Sequence, residues 1–315
     1  MIIIGINAYH GDASAVILVD GKLLCAIEEE RFNRIKHSAG VPQAAAKAAL
    51  EQAGLSQSDI DFLTIAKDSK ANLLSKIKFV LKNRPSPSFL QYRLNVSGSS
   101  KKLLENPGIY FGGNGKWRAK GVRVEHHIAH AASSFYPSGF ERAALLTVDG
   151  FGDFSSVMLG IGEGNKIKVL KRILFPHSLG ILYTAATQFI GFPKYGDEYK
   201  LMGLAGWGEP RFLKEFEALI RFEPDGGFKL NLDYFLHARG WVDMTWSEGE
   251  PHLSQAYSEK WTKLFGPART TNEPLTQRDK DLAASAQAVF EKSLFHLLNH
   301  LYENCLLYTS PSPRD

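Results

Sequence analysis

The chain has 315 residues, 44% hydrophobic and 22% charged, with 37 basic against 33 acidic side chains and a formal net charge of +4. That much apolar material can build about two domains of ~150 residues each, and so mild a positive balance implies no nucleic-acid partner while suiting a small anionic substrate. Two cysteines, Cys25 and Cys305, argue against a disulfide framework or a thiolate metal site and make a reducing cytoplasm the default compartment.

The opening "MIIIGI" has no basic leader and no long apolar run, so it reads as a core strand rather than a signal peptide or membrane span. Residues 2–7 form that strand and 14–19 (SAVILV) a second. Asp20-Gly21 supplies a hairpin signal before a third strand at 22–30. The loop between the first two, NAYHGDAS, is polar and built of small residues. The pattern predicts a helix over 42–54, opened by Pro42 and closed by Gly54, then a strand at 60–67. Residues 67–105 form a basic insertion in which Leu73, Leu74, Ile77 and Leu81 keep helical spacing. Its cations could guide an anion, although charge runs are usually solvated surface. A short strand at 121–125 leads into a helix that stops before Pro137.

The opening grammar then returns: AALLTV at 143–148, DGFGDFS at 149–155, SVMLGIG at 156–162, a turn through Glu163-Gly164-Asn165, and KIKVLKRI at 166–173. A buried helix is expected at 180–191, followed by a glycine-rich stretch carrying Asp197, Glu198 and Lys200. Residues 209–275 read as a peripheral insertion with a helix at 210–220, a hairpin over 226–235 and an aromatic segment at 239–246. The helical pattern of 279–302 should pack on the second copy. The Pro/Ser-rich end, 304–315, reads as a non-native or disordered tail. Two domains are therefore expected, 1–141 and 142–303, the second incomplete.

The repeated loops carry the chemistry. Asp, Gly and small hydroxyl residues let backbone N–H groups approach phosphate, while a carboxylate can hold a divalent cation against it. Two facing loops would clamp a nucleotide, with Asn7, Gly11 and Asp12 in the first and Gly150, Gly152 and Asp153 in the second. Neither loop is a P-loop or a G-x-G-x-x-G, and a plain pair of hairpins is the competing reading. His126 and His130 are four apart, share one helical face, and could each offer a nitrogen to a cation at about 2.0–2.2 Å, while His127 points elsewhere. Asp149, at a strand's carboxyl end, is the local oxygen ligand. The alternative is a set of helix-end histidines satisfied by backbone carbonyls. His10 projects from the first loop and could donate to phosphate or shuttle a proton. Arg31, Arg34, Lys36 and His37 end the third strand, where they could hold a phosphate or carbamoyl group or serve as surface charge.

Four blocks, "GINAYHGDASAVILVDGKLLCAIEEERFNRIKHSAGVP", "HHIAHAASSFYPSGFERAALLTVDGFGD", "FPHSLGILYTAATQFIGF" and "GDEYKLMGLAGWG", occur in an order that resembles the amino-terminal half of the nodulation and antibiotic-type O-carbamoyltransferases. The resemblance runs over about residues 1–303, with 67–105 and 209–275 contributing little. It implies an α/β protein with the duplicated actin-like ATPase (ribonuclease H-like) fold, its second half incomplete. It further implies a Kae1-like domain that passes a carbamoyl group from carbamoyl-adenylate to a hydroxyl, the adenylate being made from carbamoyl phosphate and ATP by a carboxy-terminal YrdC-like domain in cis. The family's divalent metal, expected to be iron(II), would be held by His126, His130, Asp149 and an aspartate beyond the end of this chain. His10 and Lys36 match blocks near the transfer site, Lys200 would orient anionic groups, and either His10 or His127 would take the acceptor's proton. The expected partners are carbamoyl phosphate and a hydroxylated small molecule or sugar, with no nucleic acid and no membrane, and a homo-oligomer left open. Because the chain stops before the family's adenosine-binding region, the 315-residue product alone is expected to be inactive. The competing functions are a sugar-kinase-like phosphotransferase, a tRNA threonylcarbamoyl-transfer enzyme and a noncatalytic ATP-binding protein of the same fold.

Overall fold

The computed structural model describes residues 1–83, 98–112, 117–238, 244–247 and 250–305. The tail from 306 onward and the first half of the aromatic segment expected at 239–246 lie outside the described residues. The chain divides into two compact units, Met1–His126 with Asp243–Ser254, and His127–Val242 with Gln255–Asp315. The division falls ahead of 141 because the helix after His126 packs through Ala131 and Phe135 against Leu145 and Met158 of the second sheet.

In the first unit, β1 (Ile2–Asn7), β2 (Ser14–Val19), β3 (Lys22–Glu28), β4 (Phe62–Ile65) and β5 (Lys120–Arg123) form one sheet in the order β3-β2-β1-β4-β5. The first three strands are an antiparallel meander, and β4 and β5 run parallel to β1. Alternation along the strands buries Ile4, Ile6, Ala15, Ile17, Leu63 and Ile65 in one cluster. Short α1 (Glu30–Asn33) is followed by α2 (Gln43–Ala53), whose Ala45, Ala46 and Ala49 let it lie close on β2 and β3. The third strand stops at Glu28, short of 30, because Glu29 is taken by α2: its carboxylate accepts from the backbone N–H groups of Ala44 and Ala45 at 3.2 and 2.8 Å, capping that helix. The basic insertion contributes α3 (Leu73–Asn83) and α4 (98–105), and α5 (Pro107–Phe111) follows it. A hairpin of Met244–Ser247 with Glu250–Leu253 also belongs to this unit.

The second unit opens with α6 (His126–Phe135), entered at His127, and a second meander: β6 (Arg142–Gly152), β7 (Ser155–Glu163) and β8 (Lys166–Leu174), in the order β6-β7-β8. One constant offset carries the β1–β2 register onto that of β6–β7: Ile3↔Leu18 becomes Leu145↔Gly160, and Ile6↔Ala15 becomes Val148↔Val157. The duplication is thus one of backbone pairing as well as of sequence. The expected second loop is tighter than its sequence suggested. β6 continues through an irregularity to Gly152, which pairs with Ser155, so only Asp153 and Phe154 turn, both at positive φ.

Helices α7 (Leu179–Phe189), α8 (Glu198–Ala205), α9 (Leu213–Glu217) and α11 (Gln277–Cys305) complete this core, with α10 (Lys260–Phe265) seating Trp261 and Phe265 beneath Phe216 and Phe189. α11 buries Leu282, Ala283, Ala286, Val289, Leu297 and Leu301 and packs on α7, α8 and α9, as its periodicity predicts, while running three residues past 302. The helix expected at 210–220 shrinks to α9 because Ile220 already belongs to a strand. The expected hairpin is displaced as well. β9 (Ile220–Phe222) pairs with β10 (Phe228–Leu230), so Asp225-Gly226-Gly227 form the turn rather than an arm, and 232–234 is a single 3-10 turn.

Candidate metal centre

Helix α6 begins at His126, so His126 and His130 stand one turn apart on one face. The division between units falls directly after His126, and the helix is continuous across it. His126, His130 and Asp149 each offer one ligand atom, all within 4.8 Å of one another. His130 Nε2 lies 3.7 Å from Asp149 Oδ2. Two ligands about 2.1 Å from a shared cation are separated by about 3.4 Å in tetrahedral geometry, so a small rotation of side chains brings this pair into register. Two imidazoles and a carboxylate are the donors that zinc or iron(II) takes, and the partial exposure of all three leaves room for further ligands. The residues present fit a divalent cation.

The strand end that carries Asp149 is tightly clamped. Asp149 Oδ1 accepts from Gly150 N at 2.6 Å, leaving Oδ2 toward His130. Ser178, the N-cap of α7, accepts from Ile181 N, and its hydroxyl is shared between the carbonyls of Asp149 and Gly150 at 3.1 and 2.7 Å. Gly180 is required by the same approach. A Cβ there would stand 2.7 Å from Gly150 N and 2.8 Å from its Cα.

His127 points elsewhere, as its helical position demands, and this corrects its candidacy as a base. It is fully buried, its Nδ1 is 2.7 Å from Thr147 Oγ1, and Thr147 precedes Asp149 by two residues on β6. A buried ring cannot meet a dissolved acceptor. Its bond instead pins the first turn of α6 to the strand that supplies the carboxylate.

The first loop is organised from within. Asn7 donates its amide to the carbonyls of Gly11 and Asp12 at 3.0 and 2.8 Å, and the loop is stitched to the following segment by Tyr9 N to Gly40 O and Ala13 N to Ser38 O. Tyr9 and Asp12 adopt positive φ. Asp12 Oδ1 lies 2.9 Å from His37 Nδ1, so His37 is the residue of its cluster that reaches the loop, while Lys36 is exposed beside it. His10 Nδ1 is 3.3 Å from the Gly11 carbonyl, and its ring centroid is 6.0 Å from that of His126, within the same unit. A carbonyl can only accept, so that contact is a hydrogen bond in the tautomer that carries its proton on Nδ1.

Lys200 is paired within its own segment. Its Nζ is 2.6 Å from Asp197 Oδ1, and that hydrogen bond raises its pKa. Ser178, Gly180 and Thr147 were not singled out from sequence. Ser178 was detectable as a helix N-cap, and Thr147 as a polar residue on the inward side of an apolar strand.

A five-stranded sheet in the order β3-β2-β1-β4-β5, with its meander repeated in register in the second unit, gives the chain a duplicated actin-like α/β fold. The chain belongs to the carbamoyltransferase N-terminal family, whose model, described as "Carbamoyltransferase N-terminus", matches residues 2–308. It is 36% identical over 316 residues to protein sll1178 of Synechocystis sp., covering 96% of this chain and 48% of that one. It is 33% identical over 296 residues to nodulation protein NolNO of Sinorhizobium fredii, covering 93% and 39%. The chain thus spans about half the length of the first relative or less. Among solved structures, YeaZ from Pseudomonas aeruginosa aligns with TM-score 0.29 and 13% identity over 56% of this chain and 69% of that one. An Aquifex aeolicus Ppx/GppA phosphatase aligns with TM-score 0.35 and 11% identity over 95% and 93%. Among the described residues no helix is long and apolar enough to cross a membrane.

Proposed function

We propose that this chain is the acceptor-side portion of an O-carbamoyltransferase, moving a carbamoyl group from carbamoyl-adenylate to the hydroxyl of a small metabolite or sugar. The convergence of His126, His130 and Asp149 carries the reading, supported by family membership. The adenylate would be made from carbamoyl phosphate and ATP by a YrdC-like domain of a longer parent protein. A divalent cation held by these three residues, iron(II) in our reading, would supply Lewis acidity to the carbamoyl oxygen and charge neutralisation to the phosphate.

In the transfer, the acceptor oxygen bonds to the carbamoyl carbon, the bond from that carbon to the adenylate oxygen breaks, and AMP leaves with the electron pair. The acceptor's proton passes to His10 Nε2, whose Nδ1–H is held by Gly11 O. Asn7 keeps the loop in shape by bonding its carbonyls, and His127 and Ser178 hold the ligand-bearing helix and strand in place.

The test has two readouts. Cobalt(II) titrated into the protein should give an absorption band that weakens in H130A and D149N, each lowering affinity by at least the ~10–100-fold cost of disturbing a ligand's support. Supplied with iron(II), ATP, carbamoyl phosphate and a hydroxylated acceptor, a full-length parent protein carrying the adenosine-binding region and the YrdC-like domain should release AMP and yield carbamoylated acceptor. Nucleotide binding without product, or equal turnover by D149N, refutes the reading.

A further inference from the structure

The first unit holds a cavity of about 540 Å³ lined by Lys70, Lys101, Leu104, Glu105, Gly121 and Arg123. Three cations face one carboxylate. That carboxylate is engaged on its own helix, since Lys101 Nζ lies 3.6 Å from Glu105 Oε1, one turn away. The Asp68 carboxylate accepts from the Lys70 backbone N–H at 3.0 Å, while among the described residues neither the Lys70 ammonium nor the Arg123 guanidinium has an ion-pair partner within 4 Å, so both side-chain charges face an occupant of the cavity. The cavity is produced by backbone approach. A Cβ on Gly121 would sit 3.1 Å from Leu104 Cβ and 3.2 Å from the Leu104 carbonyl, so glycine lets α4 lie against β5 and brings Lys101 alongside Arg123.

Its position is that of a ligand site. Arg123 ends β5 and Lys70 follows the end of β4, and both strands run parallel to β1. In open α/β sheets ligands bind beyond the carboxyl ends of the parallel strands. The volume exceeds what a bare phosphate fills and falls in the range of small-molecule pockets, about 300–1,000 Å³. Arg123 precedes His126 by three residues, so their Cα atoms are at most about 11 Å apart.

We propose that this cavity binds an oxyanion, a phosphate or carboxylate, borne by the hydroxylated acceptor, so that the enzyme selects anionic over neutral acceptors. The assignment of the bound molecule as the acceptor rests on the function proposed above, whereas oxyanion binding does not. Arg123 supplies a planar fork and Lys70 a point charge, and together they discriminate by charge before shape.

Calorimetric titration of the protein with inorganic phosphate, glucose 6-phosphate, gluconate and glucose tests it. Glucose 6-phosphate should bind at least about tenfold tighter than glucose, the scale of one charge-assisted hydrogen bond. Binding should weaken with added salt and fall by a similar factor in R123A and, independently, in K70E, whose exposed site leaves the fold intact. K47A, which removes an exposed charge on α2, should bind as wild type. Gluconate binding more tightly than glucose 6-phosphate makes the carboxylate the preferred group, and the reverse order makes it the phosphate. Equal affinity for glucose and glucose 6-phosphate, or loss in K47A equal to that in R123A and K70E, overturns the proposal. Phosphate binding that depends on Arg123 in a protein that transfers no carbamoyl group keeps the oxyanion site and sinks only the carbamoyl reading.

Discussion

Replacing Gly180 with alanine should damage the candidate metal centre from outside it. The added Cβ would lie 2.7 Å from Gly150 N, 2.8 Å from Gly150 Cα and 3.0 Å from the carbonyl carbon of Asp149. Ordinary contacts begin near 3.5 Å, so several tenths of an ångström must be recovered, and every atom in the way is backbone. No side-chain rotation relieves it. Either α7 retreats, breaking the Ser178 bonds to the Asp149 and Gly150 carbonyls, or the 149–150 backbone moves and takes the carboxylate with it. Overpacking of this kind costs about 1–3 kcal/mol, which at about 2–4 °C per kcal/mol lowers Tm by several degrees. Cobalt(II) affinity should fall about 10–100-fold, as for other lost supports of a ligand. The control is Gly203→Ala on α8, where a Cβ meets nothing within 4 Å. It should raise stability by up to ~1 kcal/mol through helix propensity and leave cobalt binding unchanged. A G180A protein with wild-type Tm and cobalt affinity would show that the clamp does not position Asp149.

His177 and Thr147 give two further tests. Burial, then the nearby charge of Lys229 and the neighbouring His237, pushes His177 down to about 4 from its ordinary 6.5, so the folded imidazole stays neutral where the unfolded one takes a proton. Stability should therefore be full above about pH 6.5 and fall as pH drops toward 4, by about 1–3 kcal/mol after allowance for partial exposure. His177→Gln, which keeps an acceptor for Leu230 N, should flatten that part of a denaturation-against-pH curve, and an unchanged slope would contradict the assignment. Thr147→Val removes the hydroxyl 2.7 Å from the buried His127 ring and should cost about 1–3 kcal/mol while weakening cobalt binding, with Thr147→Ser restoring both. Rescue by serine separates a positioning bond from a mere packing effect.

The strands, the repeat and the convergence of His126, His130 and Asp149 are legible because each rests on a local rule. Short apolar runs bounded by turn residues mark β1, β2, β6 and β7, and spacing of four puts His126 and His130 on one face. What was not legible depended on contacts between segments distant in sequence. Glu29 reads as the end of a charged strand until α2 arrives 15 and 16 residues later with N–H groups to be capped. His127 is as polar in sequence as its neighbours, and only the docking of α6 on β6 decides that it is buried. The 226–235 hairpin fails for a subtler reason: a turn and a strand start are both announced by paired glycines, and the arm that resolves the ambiguity, Ile220–Phe222, begins at the last residue of the helix expected at 210–220.

The duplication also shows how one position acquires two chemistries. The offset that aligns the two meanders places Asn7 of β1 opposite Asp149 of β6, since each stands one residue beyond a matched pair, Ile6↔Ala15 and Val148↔Val157. An amide can donate, and Asn7 spends both available contacts on the carbonyls of Gly11 and Asp12, drawing its loop closed. A carboxylate only accepts. Asp149 cannot hold carbonyls, so its loop must be closed by other means: a two-residue turn at Asp153-Phe154, and a clamp in which Ser178 donates to the carbonyls. Relieved of that task, the Asp149 carboxylate keeps one oxygen on Gly150 N and turns the other toward His130, where a cation would complete it. Exchanging a donor for an acceptor at one strand end thus converts a loop pin into a candidate metal ligand, and the serine and glycine of the next helix accompany that change.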